Sequence, residues 1–192
     1  RRSGSIGLAA PGTTIGFRDL EDLTRDAPEG EKGELVVSGP QIMAGYYNRP
    51  EETARALEGG VLHTGDVGYR DADGFIYLVD RIKDLILCSG YNVYPRVIEE
   101  AIYQHPSVEE VIVIAIPDTY RGQAPKAFVK LREGAELTAD ELKTFLKDHL
   151  SAIERPQEIE FRDSLPKTMV GKLSKKELVE EEAARRAAAA EG

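Results

Sequence analysis

The sequence predicts an α+β fold in two parts, and three observations predict it. Before Asp80 the chain is a run of short β-branched or apolar stretches between glycine turns, with one short helix signal. After Asp80, apolar runs of strand length alternate with segments whose apolar residues recur at helical spacing. Two capping-box patterns, Thr138–Glu141 and Ser174–Glu177, mark helix starts, and both lie in the second part.

Residues 1–32 are rich in glycine and charge, and Ile6–Ala10 and Thr14–Phe17 read as short strands. Gly33–Ser38 is a strand by its β-branched content, stopped by Gly39-Pro40. Pro50 suits a first helical turn, so a short helix is expected from there to about Leu57, ended by Gly59-Gly60. His63–Asp66 reads as a turn ahead of a hairpin. The strand Gly74–Val79 is then entered from the turn Asp71–Gly74.

Past Asp80 the rhythm changes. Asp84–Cys88 is short and apolar, and Gly90 breaks it. Val97, Ile98, Ala101 and Ile102 form one side of a helix from about Pro95 to Gln104. Val108–Ile116 and Lys126–Leu131 are strands, the first ended by Pro117-Asp118. A helix opened by Thr138 is expected to reach Leu150, with Leu142, Phe145, Leu146 and His149 on one side, and Glu158–Phe161 is a short strand. The last helix, from Ser174, is expected to fade into Glu180–Gly192, which has many helix formers and few apolar anchors. A domain boundary is placed at Asp80-Arg81, giving parts 1–80 and 81–192.

Composition narrows the function class. With 192 residues and 41% hydrophobic side chains the chain can bury a core, and one cysteine excludes a disulfide scaffold. The formal net charge of −9 argues against nucleic acid as a partner, because a phosphate-binding face must be basic. The longest apolar run, Val111–Ile116, is far short of the ~18 residues of a membrane span, so no transmembrane segment is expected. Arg1-Arg2-Ser3-Gly4 has neither Met nor an apolar signal segment, so the expectation is a cytoplasmic piece cut from a longer protein.

Several polar clusters exceed what a scaffold needs. In His63-Thr64-Gly65-Asp66, glycine would let the backbone approach a ligand while Asp66 accepts from two hydroxyls, as on a ribose. An Asx turn closing a hairpin would use the same residues. Asp80-Arg81-Ile82-Lys83-Asp84 is either a set of surface ion pairs, each worth well under about 1 kcal/mol, or a charged hinge with Arg81 reaching a ligand. Pro166–Leu173 is a short polar loop that delivers Lys172 ahead of a capped helix. Its ammonium either neutralises a phosphate or carboxylate gaining charge, or is simply solvated. Ser89-Gly90-Tyr91-Asn92-Val93-Tyr94-Pro95 is a turn running into a helix N-terminus, which is an anion site or an ordinary cap. Cys88 reads as a small core residue. His63, His105 and His149 share no metal-like spacing, so no metal is assigned to this chain.

Singly these signals are weak, but their series is specific. Gly33–Pro40 is followed by Met43-Ala44-Gly45-Tyr46-Tyr47-Asn48-Arg49-Pro50-Glu51-Glu52-Thr53, His63–Asp66, Asp80–Asp84, Ser89–Pro95 and Pro166–Lys172. This order resembles the C-terminal third of the adenylate-forming superfamily, which includes acyl-CoA synthetases, luciferases and adenylation domains. The Tyr91–Pro95 form is most similar to the fatty acyl-CoA ligases. The resemblance implies that 1–80 is the β-rich end of a large N-terminal AMP-binding domain. It implies that 81–192 is a mobile C-terminal domain with a short sheet flanked by helices.

The implied activity joins a carboxylate to ATP as an acyl-adenylate and then transfers the acyl group to CoA. By the same resemblance Asp66 binds the ribose hydroxyls, and Arg81 helps hold the ribose and phosphate region. Lys83 is the hinge. Lys172 is the catalytic lysine, bridging the substrate carboxylate and the α-phosphate. Ser89, Gly90 and Tyr91 line the path of the CoA pantetheine. ATP, CoA and Mg2+ are implied, with the Mg2+ ligands, the phosphate loop and the acyl pocket expected upstream of this chain. The chain alone is therefore expected to be inactive and to need the remainder of its own N-terminal domain. An aryl-CoA ligase or a peptide-synthetase adenylation domain stays open, as does peripheral membrane association of the complete enzyme. A non-catalytic interaction module reusing the fold is the alternative of another class. The presence of Asp66, Arg81 and Lys172 together counts against it.

Overall fold

The computed structural model describes residues 2–190 and divides the chain into two units, Arg1–Lys83 and Asp84–Gly192. The division falls a few residues beyond Asp80-Arg81. The first unit holds β1 (Ser5–Gly7), β2 (Thr14–Arg18), β3 (Gly33–Ser38), α1 (Pro50–Ala56), β4 (Leu62–Arg70) and β5 (Ile76–Arg81). Its strands form one antiparallel sheet in the order β1-β5-β4-β3-β2. Leu35, Val36, Val67 and Ile76 are buried in it. α1 buries nothing; Pro50 and the acidic Glu51 and Glu52 suit its N-terminal turn.

One expectation is overturned here. His63–Asp66 is not a turn before a hairpin but the first half of β4. Leu-His-Thr-Gly-Asp has little strand propensity of its own, and Gly65 sits at φ +70°. The segment is a strand because β3 and β5 pair with it on both sides, so tertiary context overrides local preference.

The second unit holds β6 (Ile86–Cys88), β7 (Tyr91–Val93), α2 (Pro95–Tyr103), β8 (Val108–Asp118), β9 (Gly122–Leu131), α3 (Ala139–Phe145), β10 (Glu158–Phe161) and α4 (Lys175–Ala190). A long antiparallel β8–β9 ladder is its spine. β10 adds parallel to β9, and the β6–β7 hairpin joins β9 where Cys88 faces Gly122. Side chains of the spine alternate between two cores. Val111, Val113, Ala127 and Val129 pack with Ile98 and Ile102 of α2 and Leu142 of α3. Ile112, Ile114, Ile116, Ala124 and Phe128 pack with Leu165 and Leu178. Burial on both faces explains why Val111–Ile116 is apolar throughout rather than alternating.

Several element limits differ from expectation: β8 runs through Pro117-Asp118 instead of ending there, and β9 begins at Gly122 rather than Lys126, because the two strands pair along this whole stretch. α3 ends at Phe145, and a 3₁₀ turn at Leu146–Asp148 still places Leu146 and Leu150 in the core. Tyr91–Val93, read as part of a turn, is a strand paired with Ile86–Cys88. α4 does not fade near Glu180 but continues to Ala190.

Charge rather than apolar area holds that last stretch. Lys126 of β9 is 4% exposed, and its Nζ lies 2.9 Å from Glu182, 3.0 Å from Glu160 and 3.2 Å from Glu158. Arg185 and Arg186 of α4 pair with Glu160 at 2.8 Å and Glu158 at 2.7 Å. Arg162 grips Glu181 through both Nη atoms at 2.7 and 2.8 Å. Breaking a buried ion pair typically costs about 3–5 kcal/mol, and Glu182 of α4 lies closest of the three carboxylates to Lys126, so this contact favours docking of α4.

No helix among the described residues is long and apolar enough to cross a membrane. Partial burial alone would raise the Glu160 carboxyl, but hydrogen bonds from Arg185, Lys126 and Arg162 outweigh it and hold the group at about 2. That value lies below the ordinary 4.5, so the stabilisation is complete above about pH 4.5 and is lost as pH falls toward 2. Glu160→Gln should therefore flatten the fall in Tm between pH 5 and 2 measured by thermal denaturation. An unchanged slope would show that Glu160 is not a source of acid sensitivity.

Candidate functional site

The first group of candidate residues is built into the middle of the five-stranded sheet. Between the pairs Val36–His63 and Glu34–Val67, β3 advances two residues while β4 advances four. The excess residues bulge from the ladder. Gly65 takes the left-handed backbone the bulge requires. Thr64 ties the bulge down: its Oγ1 donates to the Leu35 carbonyl at 2.7 Å and accepts the Asp66 N–H at 3.1 Å. Glu34, 4% exposed, accepts the Gly65 N–H at 3.0 Å through Oε1, and its Oε2 lies 2.7 Å from His63 Nδ1.

The ladder with β5 begins at the end of the bulge, where Asp66 stands directly across from Arg81. Arg81 Nε is 3.0 Å from Asp66 Oδ1, so the structure brings these two predicted residues together. The aspartate side chain is 26% exposed and the arginine 59%, which places the pair at the rim of the sheet. A carboxylate accepts about four hydrogen bonds, and Arg81 engages one oxygen, so acceptor capacity is left for vicinal hydroxyls. Asp80, one residue earlier, turns inward and accepts the Arg81 N–H at 2.8 Å through Oδ1.

Lys83 is exposed in a 3₁₀ turn at Ile82–Asp84, at the division between the two units. In the second unit Ser89 and Gly90 are the two turn residues of the β6–β7 hairpin, at φ +51° and +83°. Two left-handed residues in a two-residue loop are the signature of a type I′ turn, whose twist matches that of the strands it joins. The Ser89 N–H donates to the Arg121 carbonyl at 2.8 Å, fixing the turn against the start of β9. Ser89, Gly90 and Tyr91 are all exposed, Tyr91 by 67%. Cys88 is fully buried, a core residue as its sequence context suggests.

Lys172 lies on another element, the loop between β10 and α4. The loop closes on itself. The Thr168 N–H donates to the Lys172 carbonyl at 2.7 Å, Gly171 N–H to the Thr168 carbonyl at 2.8 Å, and Lys172 N–H to Thr168 Oγ1 at 3.2 Å. Its two ends are anchored. Leu165 and Leu173 join the second core, Lys167 pairs with Glu110 at 2.5 Å, and Lys175 pairs with Glu99 at 3.1 Å. Between the anchors Met169, Val170 and Lys172 project into solvent. A compact cation on a tethered, exposed tip can be presented to an anion and withdrawn without disturbing the core.

Sequence reasoning missed Glu34 and Glu99. Glu34 was visible as the lone acid of the strand Gly33–Ser38, directly before the apolar run Leu35–Val37, a signal of a buried partner. Glu99 had no such signal, since it sits on a helix among other charges. It accepts the Val113 N–H at 2.8 Å and the Lys175 ammonium, linking α2, β8 and α4. No group of three or more His, Cys, Asp or Glu side chains is placed to hold a metal among the described residues.

Comparison with known proteins gives this geometry its context. Residues 97–172 match the family model for the AMP-binding enzyme C-terminal domain. Over 94% of its length the chain is 48% identical to a long-chain-fatty-acid–CoA ligase of Bacillus subtilis (strain 168), of which it covers 32%. The chain thus spans about a third of the length of the curated relatives it matches. Among solved structures, o-succinylbenzoate CoA synthetase from Bacillus subtilis, in complex with an acyl-adenylate intermediate, is similar with a TM-score of 0.85 and 32% identity, over 91% of this chain and 35% of that one. The amide bond synthetase McbA from Marinactinospora thermotolerans is similar with a TM-score of 0.82 and 37% identity, over 91% of this chain and 36% of that one. By sequence and by fold, the chain is similar to the C-terminal part of adenylate-forming enzymes, long-chain fatty acid–CoA ligases among them.

Proposed function

We propose that the chain is the C-terminal part of an ATP-dependent, AMP-forming acid–thiol ligase whose acid is a long-chain fatty acid and whose acceptor is CoA. The observation that carries this reading is the 48% identity to the Bacillus subtilis ligase along nearly the whole chain. In this reading Arg1–Lys83 is the terminal β-rich subdomain of the AMP-binding domain and Asp84–Gly192 is the mobile small domain. The complete enzyme works in the cytoplasm on small-molecule substrates.

The chemistry follows from the charges. An acid oxygen attacks the α-phosphorus of ATP and pyrophosphate leaves with the bonding pair. Asp66 accepts from the ribose hydroxyls, and Arg81 holds the carboxylate in place while offering its remaining N–H groups to the phosphate side. Lys172 supplies a point charge where the incoming carboxylate and the phosphate oxygens crowd together, which is where the transition state gains most from a cation. In the second step the CoA sulfur attacks the acyl carbonyl, its proton passes to solvent, and AMP leaves. The sulfur needs the space Lys172 occupied, so the small domain turns about Lys83 and brings the Ser89-Gly90-Tyr91 turn to line the thiol path. Mg2+ travels with ATP and is held by groups other than those described.

The likeness to an amide bond synthetase supports a second reading within the superfamily, in which the activated acyl group goes to an amine. ATP–pyrophosphate exchange with a panel of acids, followed by CoA or amine acceptors, separates the two readings. In the complete protein Lys172→Ala should slow acyl-adenylate formation by about 10²-fold. Thioester formation from supplied acyl-adenylate should change far less, and equal loss in both steps would remove Lys172 from the role given to it. Lys83→Pro fixes a backbone torsion and should impair the thioester step selectively. Normal rates in both half-reactions with that variant would place the hinge elsewhere.

A further inference from the structure

We propose that Glu34 is a positioning residue for nucleotide binding, acting through the backbone of β4 to set Asp66. The inference rests on the reading of Asp66 as the ribose ligand and adds a residue to it. A strand position in the middle of a sheet is ordinarily apolar, and neighbouring Leu35 and Val36 are. An ionised carboxylate there is costly unless every oxygen has a donor. Glu34 has them: Gly65 N–H at 3.0 Å on Oε1 and His63 Nδ1 at 2.7 Å on Oε2.

These donors are not incidental neighbours: Gly65 lies in the bulge that ends at Asp66, and His63 is the last paired residue before it. A bulge removes ladder bonds and leaves its N–H groups to be satisfied some other way. Glu34 replaces the missing ladder acceptor with a side chain, and Thr64 does the same at the next residues. The backbone direction at Asp66 is thereby fixed before any ligand arrives, with Oδ1 already 3.0 Å from Arg81. Glu34 itself need not touch the nucleotide. A leucine at its position would pack in the sheet but leave the Gly65 N–H without an acceptor, and the carboxylate of Asp66 would lose its set orientation.

The test measures binding of ATP and of 2′,3′-dideoxy-ATP, which lacks the ribose hydroxyls, to the complete protein by calorimetry. Wild type is expected to prefer ATP by about tenfold, as one to two good hydrogen bonds to a charged group would give, and Asp66→Ala to abolish that preference. Glu34→Leu should lose most of the preference while binding the dideoxy nucleotide as wild type does. Glu34→Gln should keep it, because its amide oxygen still accepts from Gly65 and its NH2 can donate to His63. A general loss of structure would weaken both nucleotides and would not be rescued selectively by Gln. Should Glu34→Leu fail to fold, Glu34→Asp takes its place, since a side chain one methylene shorter cannot reach both donors. If Asp66→Ala abolishes the preference and the Glu34 variants retain it, the positioning role is overturned and the ribose reading stands. If wild type shows no preference, the ribose reading fails and the positioning role falls with it.

Discussion

The second unit depends on a single awkward charge. Lys126 carries an ammonium into the middle of β9, where water cannot reach it, and only carboxylates from two other elements make that tolerable. β10 brings Glu158 and Glu160, and α4 brings Glu182. Phe128 adds a ring face 5.0 Å from the same ammonium and 4.8 Å from the Arg162 guanidinium. Removing either partner element would leave the charge under-compensated, with Glu182 alone if β10 is lost and with Glu158 and Glu160 if α4 is lost. The apolar contribution of α4 is small by comparison, since Leu178 is its buried apolar anchor. The docking of the last helix is therefore an electrostatic decision, and the loop that precedes it inherits a fixed end.

That inheritance matters for Lys172. Its loop is short and exposed, yet both ends are tied by ion pairs and by leucines in the core. Within its own unit the tip is a small hairpin-like flap tied at both ends. Asp66 and Arg81 follow the opposite logic. They are held by strand register and by a buried carboxylate, so a ligand of the kind proposed for them would meet a preformed pair and pay little reorganisation.

Much of this was legible in the sequence, for identifiable reasons. β3 matched because Gly33 and Gly39-Pro40 punctuate a β-branched run, and α2 matched because its apolar residues repeat at helical spacing. The capping box at Thr138–Glu141 is formed with both of its hydrogen bonds. β4 was misread because its strand identity comes from neighbours distant in sequence. α4 was shortened because its partners, Glu158, Glu160 and Lys126, are invisible to any local window. The pairing of Asp66 with Arg81 could not be read from spacing alone. Register across two strands decides it, and a bulge shifts that register.

The edge of β8 carries a consequence for how the chain is made. β8 pairs only with β9 among the described strands, so the N–H groups of its outer side face away from the ladder. α2 covers them with side chains, Tyr103 accepting from Val111 at 3.3 Å and Glu99 from Val113 at 2.8 Å. Its other flank, Ile112, Ile114 and Ile116, waits for Leu165 and α4, which follow it by some fifty residues or more along the chain. Until they leave the ribosome, a β-branched strand is exposed on one face and guarded at its edge by a single helix already in place. A six-residue run of that composition is the kind that pairs with copies of itself. The order of elements along the chain thus makes α2 a guard against self-association during synthesis as well as a wall of the finished core.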